Sequence, residues 1–192
     1  MKLYCATGNP GKLREFRLAG EAPGIDIEPL AELKSIKAPE ENGATFEENA
    51  SLKAAYYSRF AKGLLFADDS GLEVDALGGA PGVYSARYAG EGADDRANNK
   101  LLLERLRNAT DRTARFVCVI ALAEAGEVRR TFRGEVSGEI LHEARGAGGF
   151  GYDPLFYYAP LGCTFAEVEG PKKFAVSHRG MALRALLEYL AH

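Results

Sequence analysis

Three short stretches carry side chains that could do chemistry, and the first is a pair of adjacent acids. Asp68-Asp69-Ser70-Gly71 follows an apolar run at residues 64–67. Neighbouring carboxylates repel, and a hard divalent cation relieves the repulsion. Mg2+ takes one or two carboxylates and fills its other positions with water and substrate phosphates. Glu40, Glu41, Glu47 and Glu48 lie in or beside the preceding loop and helix start, where any of them could add a ligand. The competing reading is an Asx turn closing the strand with both acids solvated.

The second stretch is Thr7-Gly8-Asn9-Pro10-Gly11-Lys12, which joins a strand to a helix. A helix start presents free N–H groups and partial positive charge, so a phosphate can dock there with Lys12 beside it. It is not a P-loop: Ala6 stands five positions before Gly11, and Leu13 replaces the required hydroxyl. A capped strand-to-helix turn with a solvated lysine is the plainer alternative.

The third lies in the carboxyl-terminal part. Phe150-Gly151-Tyr152-Asp153 sets an aromatic ring among glycines, where a planar base could stack. Ser177-His178-Arg179-Gly180 puts a group that titrates near neutrality and a fixed cation at a helix start. A cation there opposes the helix dipole, which points to a ligand or to a solvated arginine. Arg179 only donates, so it would accept a 6-oxo purine and reject adenine by about 1–3 kcal/mol. Residues 146–151 satisfy G-x-G-x-x-G but run into Tyr-Asp-Pro and an aromatic strand rather than a helix, so the dinucleotide reading fails.

The elements that must position these groups alternate. Residues 2–6 predict a strand. Asn9 as N-cap and Pro10 as first helical residue open a helix with Leu13, Phe16 and Ala19 on one face, ended by Gly20. Ile25 and Ile27 suggest a second strand. Thr45 with Glu48 makes a capping box, opening a helix to about Lys62, and residues 64–67 form a short buried strand ending at the acids. Residues 94–107 read as a helix, 115–123 and 128–136 as a hairpin around Ala125-Gly126-Glu127, 155–158 as a strand, and 177–190 as the closing helix. Mixed order with a hairpin indicates an α/β fold built on a mixed sheet.

Composition narrows the functional classes. The 192 residues are 46% hydrophobic and 27% charged, as in ordinary globular proteins, and are taken as one domain. Net charge of −3 argues against nucleic acid as a partner. No apolar run approaches the roughly 20 residues of a membrane span, and the first residues are too short an apolar stretch for a signal peptide. Cys5 and Cys118 sit in strand-like runs and Cys163 in a loop, without metal spacing. Reduced thiols and a cytoplasmic location are expected.

Six blocks in register resemble the inosine/xanthosine triphosphate pyrophosphatases. They lie at residues 6–12, 45–54, 67–72, 77–88, 148–154 and 177–180 and span nearly the whole chain. The resemblance implies an elongated mixed sheet flanked by helices, two lobes around a nucleotide cleft, and a homodimer. It implies Mg2+-dependent hydrolysis of ITP, dITP and XTP to the monophosphate and pyrophosphate. It also implies roles residue by residue. Thr7, Gly8, Asn9, Pro10, Gly11 and Lys12 would hold the triphosphate. Glu41 and Asp69, with Asp68 beside them, would serve the metal, and Asp69 would be the general base. Ser70 would touch the nucleotide and Lys53 could reach a phosphate. Phe150, Gly151, Tyr152, Asp153, Lys173, His178 and Arg179 would hold base and sugar. Lys173 is preferred to Lys172 for its spacing to His178.

Two rivals stand beside this reading. One is a related pyrophosphatase of modified pyrimidine nucleotides, against which the Phe150 and His178 blocks weigh. The other is a binding module without turnover, which has little use for paired acids beside a phosphate loop.

Overall fold

A computed structural model describes residues 1–18 and 24–192. Strand β1 (Lys2–Cys5) leads to helix α1 (Pro10–Leu18) and strand β2 (Asp26–Pro29). Helix α2 (Phe46–Tyr57), strand β3 (Leu65–Val74) and helix α3 (Asp95–Arg105) follow. The hairpin strands are β4 (Thr113–Glu124) and β5 (Glu127–Ile140). Short β6 (Phe156–Tyr158) and β7 (Cys163–Thr164) precede α4 (Gly170–Val176) and α5 (His178–Leu190). The seven strands form one sheet in the order β2-β1-β3-β4-β5-β6-β7. β2, β1 and β3 run parallel, and every pairing from β3 to β7 is antiparallel. The expected mixed sheet is present. Ala19 and Gly20, the expected end of the first helix, lie outside the described residues.

Two apolar layers hold the sheet. On one face α1, α4 and α5 pack Phe16, Phe174, Leu183 and Leu186 against Leu3, Phe66, Ile120 and Leu122. On the other, α2 sets Phe46, Ala50, Ala54 and Tyr57 on Leu65, Ala67, Val119 and Ala121. β4 is covered on both faces, so it reads as a continuous apolar run; β5 alternates because one of its faces meets solvent. Gly134 of β5 permits α5 to approach, since a Cβ there would strike the carbonyl of His178. The hairpin turns through Ala125 and Gly126, both in the left-handed region (φ 52° and 91°), as a two-residue turn requires.

The sequence expectation for the acids is corrected. β3 does not stop at Ala67 but runs through Asp68, Asp69, Ser70 and Gly71 to Val74. Opposite them lie Ile120, Val119, Cys118 and Val117 of β4. Ending β3 at Ala67 would leave buried amides of β4 without partners, so the ladder overrides the local turn preference. Successive strand residues face opposite ways. Asp68 and Asp69 therefore serve opposite faces of the sheet and do not form a side-by-side pair.

Three smaller differences concern element bounds. α2 gives way at Ser58–Phe60 to a 3-10 turn, before Lys62. Cys163 lies in β7 and not in a loop. α4 is an additional short helix with Pro171 in its first turn.

Candidate active site

The site opens where the chain splits the sheet. The Ala6 N–H donates to the Phe66 carbonyl at 2.9 Å, after which Thr7 turns away into α1. β2 lies on one side of β1 and β3 on the other. Such a reversal of strand order leaves a crevice at the carboxyl end of the sheet, the usual ligand position in α/β folds. A cavity of about 420 Å³ occupies it.

All the candidate residues line this cavity except Pro10 and Gly11. Pro10 is exposed at the first position of α1, and Gly11 lies under Phe150, whose ring would be 2.6 Å from an added Cβ. Lys173, and not the exposed Lys172, reaches the cavity. Of Glu40, Glu41, Glu47 and Glu48, Glu41 lines it, while Glu47 accepts from Thr131 and Glu48 from the Ala44 N–H.

The helix start is less open than its sequence suggested. Asn9 Oδ1 accepts from the N–H groups of Gly11 (2.8 Å) and Lys12 (3.1 Å). A phosphate must therefore compete with a cap already in place, and Lys12 becomes the main anion-binding group of the loop. In this structure its Nζ lies 2.7 Å from Asp68 Oδ2.

Asp68 belongs to a buried ionic network on the α1 and α5 face. Burial pushes its carboxyl up, but Lys12, Arg179 and Lys53 outweigh burial and hold it below the usual carboxylate range. Beside it Glu15 accepts from Lys173 Nζ at 2.6 Å and from Arg179 through a second ion pair. Burial raises Glu15 as well, and Arg179 and Lys173 overcome it, so Glu15 too is held low. Lys173 also pairs with Asp153 at 2.5 Å, and Arg179 donates to Ser70 Oγ at 2.9 Å. Asp153 ends above its ordinary value, because burial there outweighs Lys173.

Asp69 faces α2 instead. Lys53 bridges Glu41 Oε2 (2.8 Å) and Asp69 Oδ1 (2.9 Å). Burial lowers the Lys53 ammonium, but Asp69, Asp68 and Glu41 outweigh it and leave it raised. Asp69 itself is pushed up, since burial and neighbouring Asp68 outweigh Lys53 and Lys12. Its Oδ2 is buried and, among the described residues, has no hydrogen-bond partner. A buried carboxylate oxygen left open is a position for a water or a metal ion.

Over the cavity floor, the Phe150 ring centroid lies 5.0 Å from Lys173 Nζ and 5.4 Å from Arg179 Cζ. Gly11 packs against the same ring. Asp153 Oδ2 accepts from the Phe150 N–H at 2.9 Å, tying this wall to the network. His178 is corrected as a switch near neutrality. It is buried and stacked on Phe116, with centroids 4.8 Å apart, and burial with Arg179, Lys173 and Lys12 holds its imidazole well below its ordinary value. The ring is neutral at pH 7.

The Ham1 family model matches residues 3–189. The chain belongs to the Ham1 family. Among its relatives, a dITP/XTP pyrophosphatase of Thermus thermophilus is 55% identical, covering 98% of this chain and 91% of its own length. A dITP/XTP pyrophosphatase of Acidobacterium capsulatum is 51% identical over 99% of this chain and 98% of that protein. The solved Ham1 protein of Staphylococcus aureus superposes with a TM-score of 0.88 at 43% identity, covering 100% of this chain and 98% of that one.

Two residues of this Ham1 chain were missed in sequence. Glu15 lies in α1 between Arg14 and Phe16 and looks like a solvated helix position; only its place one turn after Gly11, on the same helix face, hinted at an inward position. Arg179 at the α5 start, read as pointing to a ligand or as solvated, is buried and paired with Glu15. Ser85 was also missed: its hydroxyl accepts from the Leu72 N–H (2.9 Å) and donates to the Gly82 carbonyl (2.6 Å), bracing the end of β3. A serine in a glycine-rich stretch carries no signal of that contact.

Proposed function

We propose that this Ham1 chain is, like its named relatives, a hydrolase of nucleoside triphosphates, and that it cleaves ITP, dITP and XTP to the monophosphate and pyrophosphate. One observation carries the reading: a buried carboxylate oxygen without a partner among the described residues, Asp69 Oδ2, in the same cavity as Lys12, Lys53 and Lys173.

The residues present suit Mg2+. Glu41 and Asp69 offer hard oxygens on one side of the cavity, and among the described residues no three acidic or metal-binding side chains converge as a complete cage. That is the complement Mg2+ uses when water and phosphate fill its other positions. The surrounding charges also call for it. Lys12, Lys53, Lys173 and Arg179 face Glu15, Glu41, Asp68, Asp69 and Asp153, four cations against five carboxylates. A polyanionic triphosphate added to that balance needs a further positive charge. Bound by Glu41 and Asp69, Mg2+ would neutralise charge on the phosphates and on the departing pyrophosphate.

The chain's own groups do the rest. Asp69 Oδ2 orients and deprotonates the water that attacks the α-phosphorus, a task favoured by its raised proton affinity. Lys12 and Lys53 leave their carboxylates to hold phosphoryl oxygens as charge develops there. Phe150 stacks the base, and the donors of Lys173 and Arg179 near the ring meet a 6-oxo group. Adenine presents a donor in that place and leaves buried donors unpaired. The chain works as a cytoplasmic homodimer in this reading. No helix of the described residues is long and apolar enough to cross a membrane.

The test is pyrophosphate release from ITP, XTP, GTP and ATP, each with and without Mg2+, at alkaline pH. Metal-dependent release from ITP and XTP, with GTP and ATP slow, is expected. Orthophosphate as the product would move the attack to another phosphorus, and no turnover would leave a binding module.

A further inference from the structure

In sequence α3 contributes only an apolar face, yet its polar side grips the base wall. Asp95 Oδ2 accepts from the Gly151 N–H at 2.7 Å, and Asn99 Nδ2 donates to the Gly151 carbonyl at 2.9 Å. Asp95 and Asn99 are four residues apart, so they stand side by side on one face of α3. Together they hold both peptide units around a glycine in the left-handed region, φ 62°.

Gly151 is the pivot of this wall. Before it Phe150 lies over Gly11 and Lys173, and after it Tyr152 is buried and donates to the Ser85 carbonyl at 2.7 Å. Nothing lies within 4 Å of the place a Gly151 Cβ would take, so side-chain packing does not hold the turn at that point. The Asp95 and Asn99 hydrogen bonds do. Asn98 braces the neighbouring segment, accepting from the Ala89 N–H at 2.8 Å and donating to the Ala86 carbonyl at 3.2 Å.

We propose that Asp95 and Asn99 are positioning residues for the nucleobase, acting through Gly151 on the placement of Phe150. They set how tightly the base is held and leave the phosphate chemistry untouched. The proposal rests on the reading that Phe150 stacks the base.

The experiment is a double-mutant cycle on ITP hydrolysis with Mg2+, using Asp95→Ala, Asn99→Ala and Phe150→Ala singly and in pairs. Each α3 variant should raise KM about 3- to 10-fold, the size of one ordinary hydrogen bond, with kcat within about twofold. Asp95→Asn keeps an oxygen that accepts from Gly151 and should stay within about twofold of wild type. In the Phe150→Ala background Asp95→Ala should add nothing further. An unchanged KM, full additivity with Phe150→Ala, or an Asp95→Asn variant as impaired as Asp95→Ala would each overturn the role. Should wild-type protein fail to turn over ITP, the functional reading falls and the clamp is decided optically. The chain has no tryptophan, so Phe150→Trp supplies a sole reporter. Asp95→Ala should red-shift its emission and Asp95→Asn should not, and an unmoved spectrum overturns the clamp.

Discussion

On one face of β3, Asp68 is enclosed by Lys12 and Arg179, with Glu15, Lys173 and Asp153 completing a chain of ion pairs. On the other face Asp69 pairs, among the described residues, with Lys53, and Lys53 is shared with the exposed Glu41. Asp68 is held below its ordinary proton affinity and Asp69 above it, although they are adjacent in the chain. Pairing outweighs burial at Asp68, and burial outweighs pairing at Asp69. A carboxylate whose charge is matched belongs to the framework, while an underpaired one has capacity left for a water or an ion.

The largest expected effect separates the two faces. Asp69→Asn should lower kcat on ITP by about 100- to 10,000-fold, the usual contribution of a positioned general base. Its melting temperature should stay within a few degrees, because the fold already disfavours the charged form of Asp69. Retention of full kcat would remove Asp69 from the chemistry and break the contrast.

Glu15→Ala acts on the other face. It removes a counter-ion from two buried cations, Lys173 and Arg179, and should cost about 3–5 kcal/mol in urea unfolding. Glu15→Gln keeps an acceptor and should cost less. A loss below about 1 kcal/mol, within the range of exposed pairs, would show that the network is not structural.

The smallest effect is the shape of the acid limb. Glu15 and Asp68 have folded proton affinities below their ordinary values of 4.5 and 3.8. The stability they contribute is therefore complete above those values and is lost as pH falls through the lower folded ones. Asp69 has the opposite sign, since protonation favours its folded form. Unfolding midpoints from pH 6 to pH 3 should fall for wild type, and more gently for Glu15→Gln. Parallel curves would mean that Glu15 carries no depressed proton affinity.

Much of the fold was legible because its elements announce themselves locally. Asn9 and Pro10 start α1, Thr45 caps α2, and Ser177 caps α5 by accepting from the Gly180 N–H at 3.2 Å. The hairpin follows from Ala125 and Gly126. The extent of β3 was not legible, since Asp-Asp-Ser-Gly favours a turn and only its partner β4 makes a strand of it. Nor was Glu15, whose inward position depends on two cations 158 and 164 residues away. His178 read as a titrating group because its type sets the ordinary value, while burial under Phe116 sets the actual one.

The sequence by itself determined the residue types, the capped helices, the mixed sheet and the family, because these rest on local spacing and on blocks held in order along the chain. The tertiary structure alone decided which charges meet. β3 continued past the end of β1 turns two adjacent acids to opposite faces, and α1 and α5 then bring Glu15, Lys173 and Arg179 to one of them. Ion pairing and desolvation depend on distance and on exclusion of water, and neither is a property of neighbours in the chain.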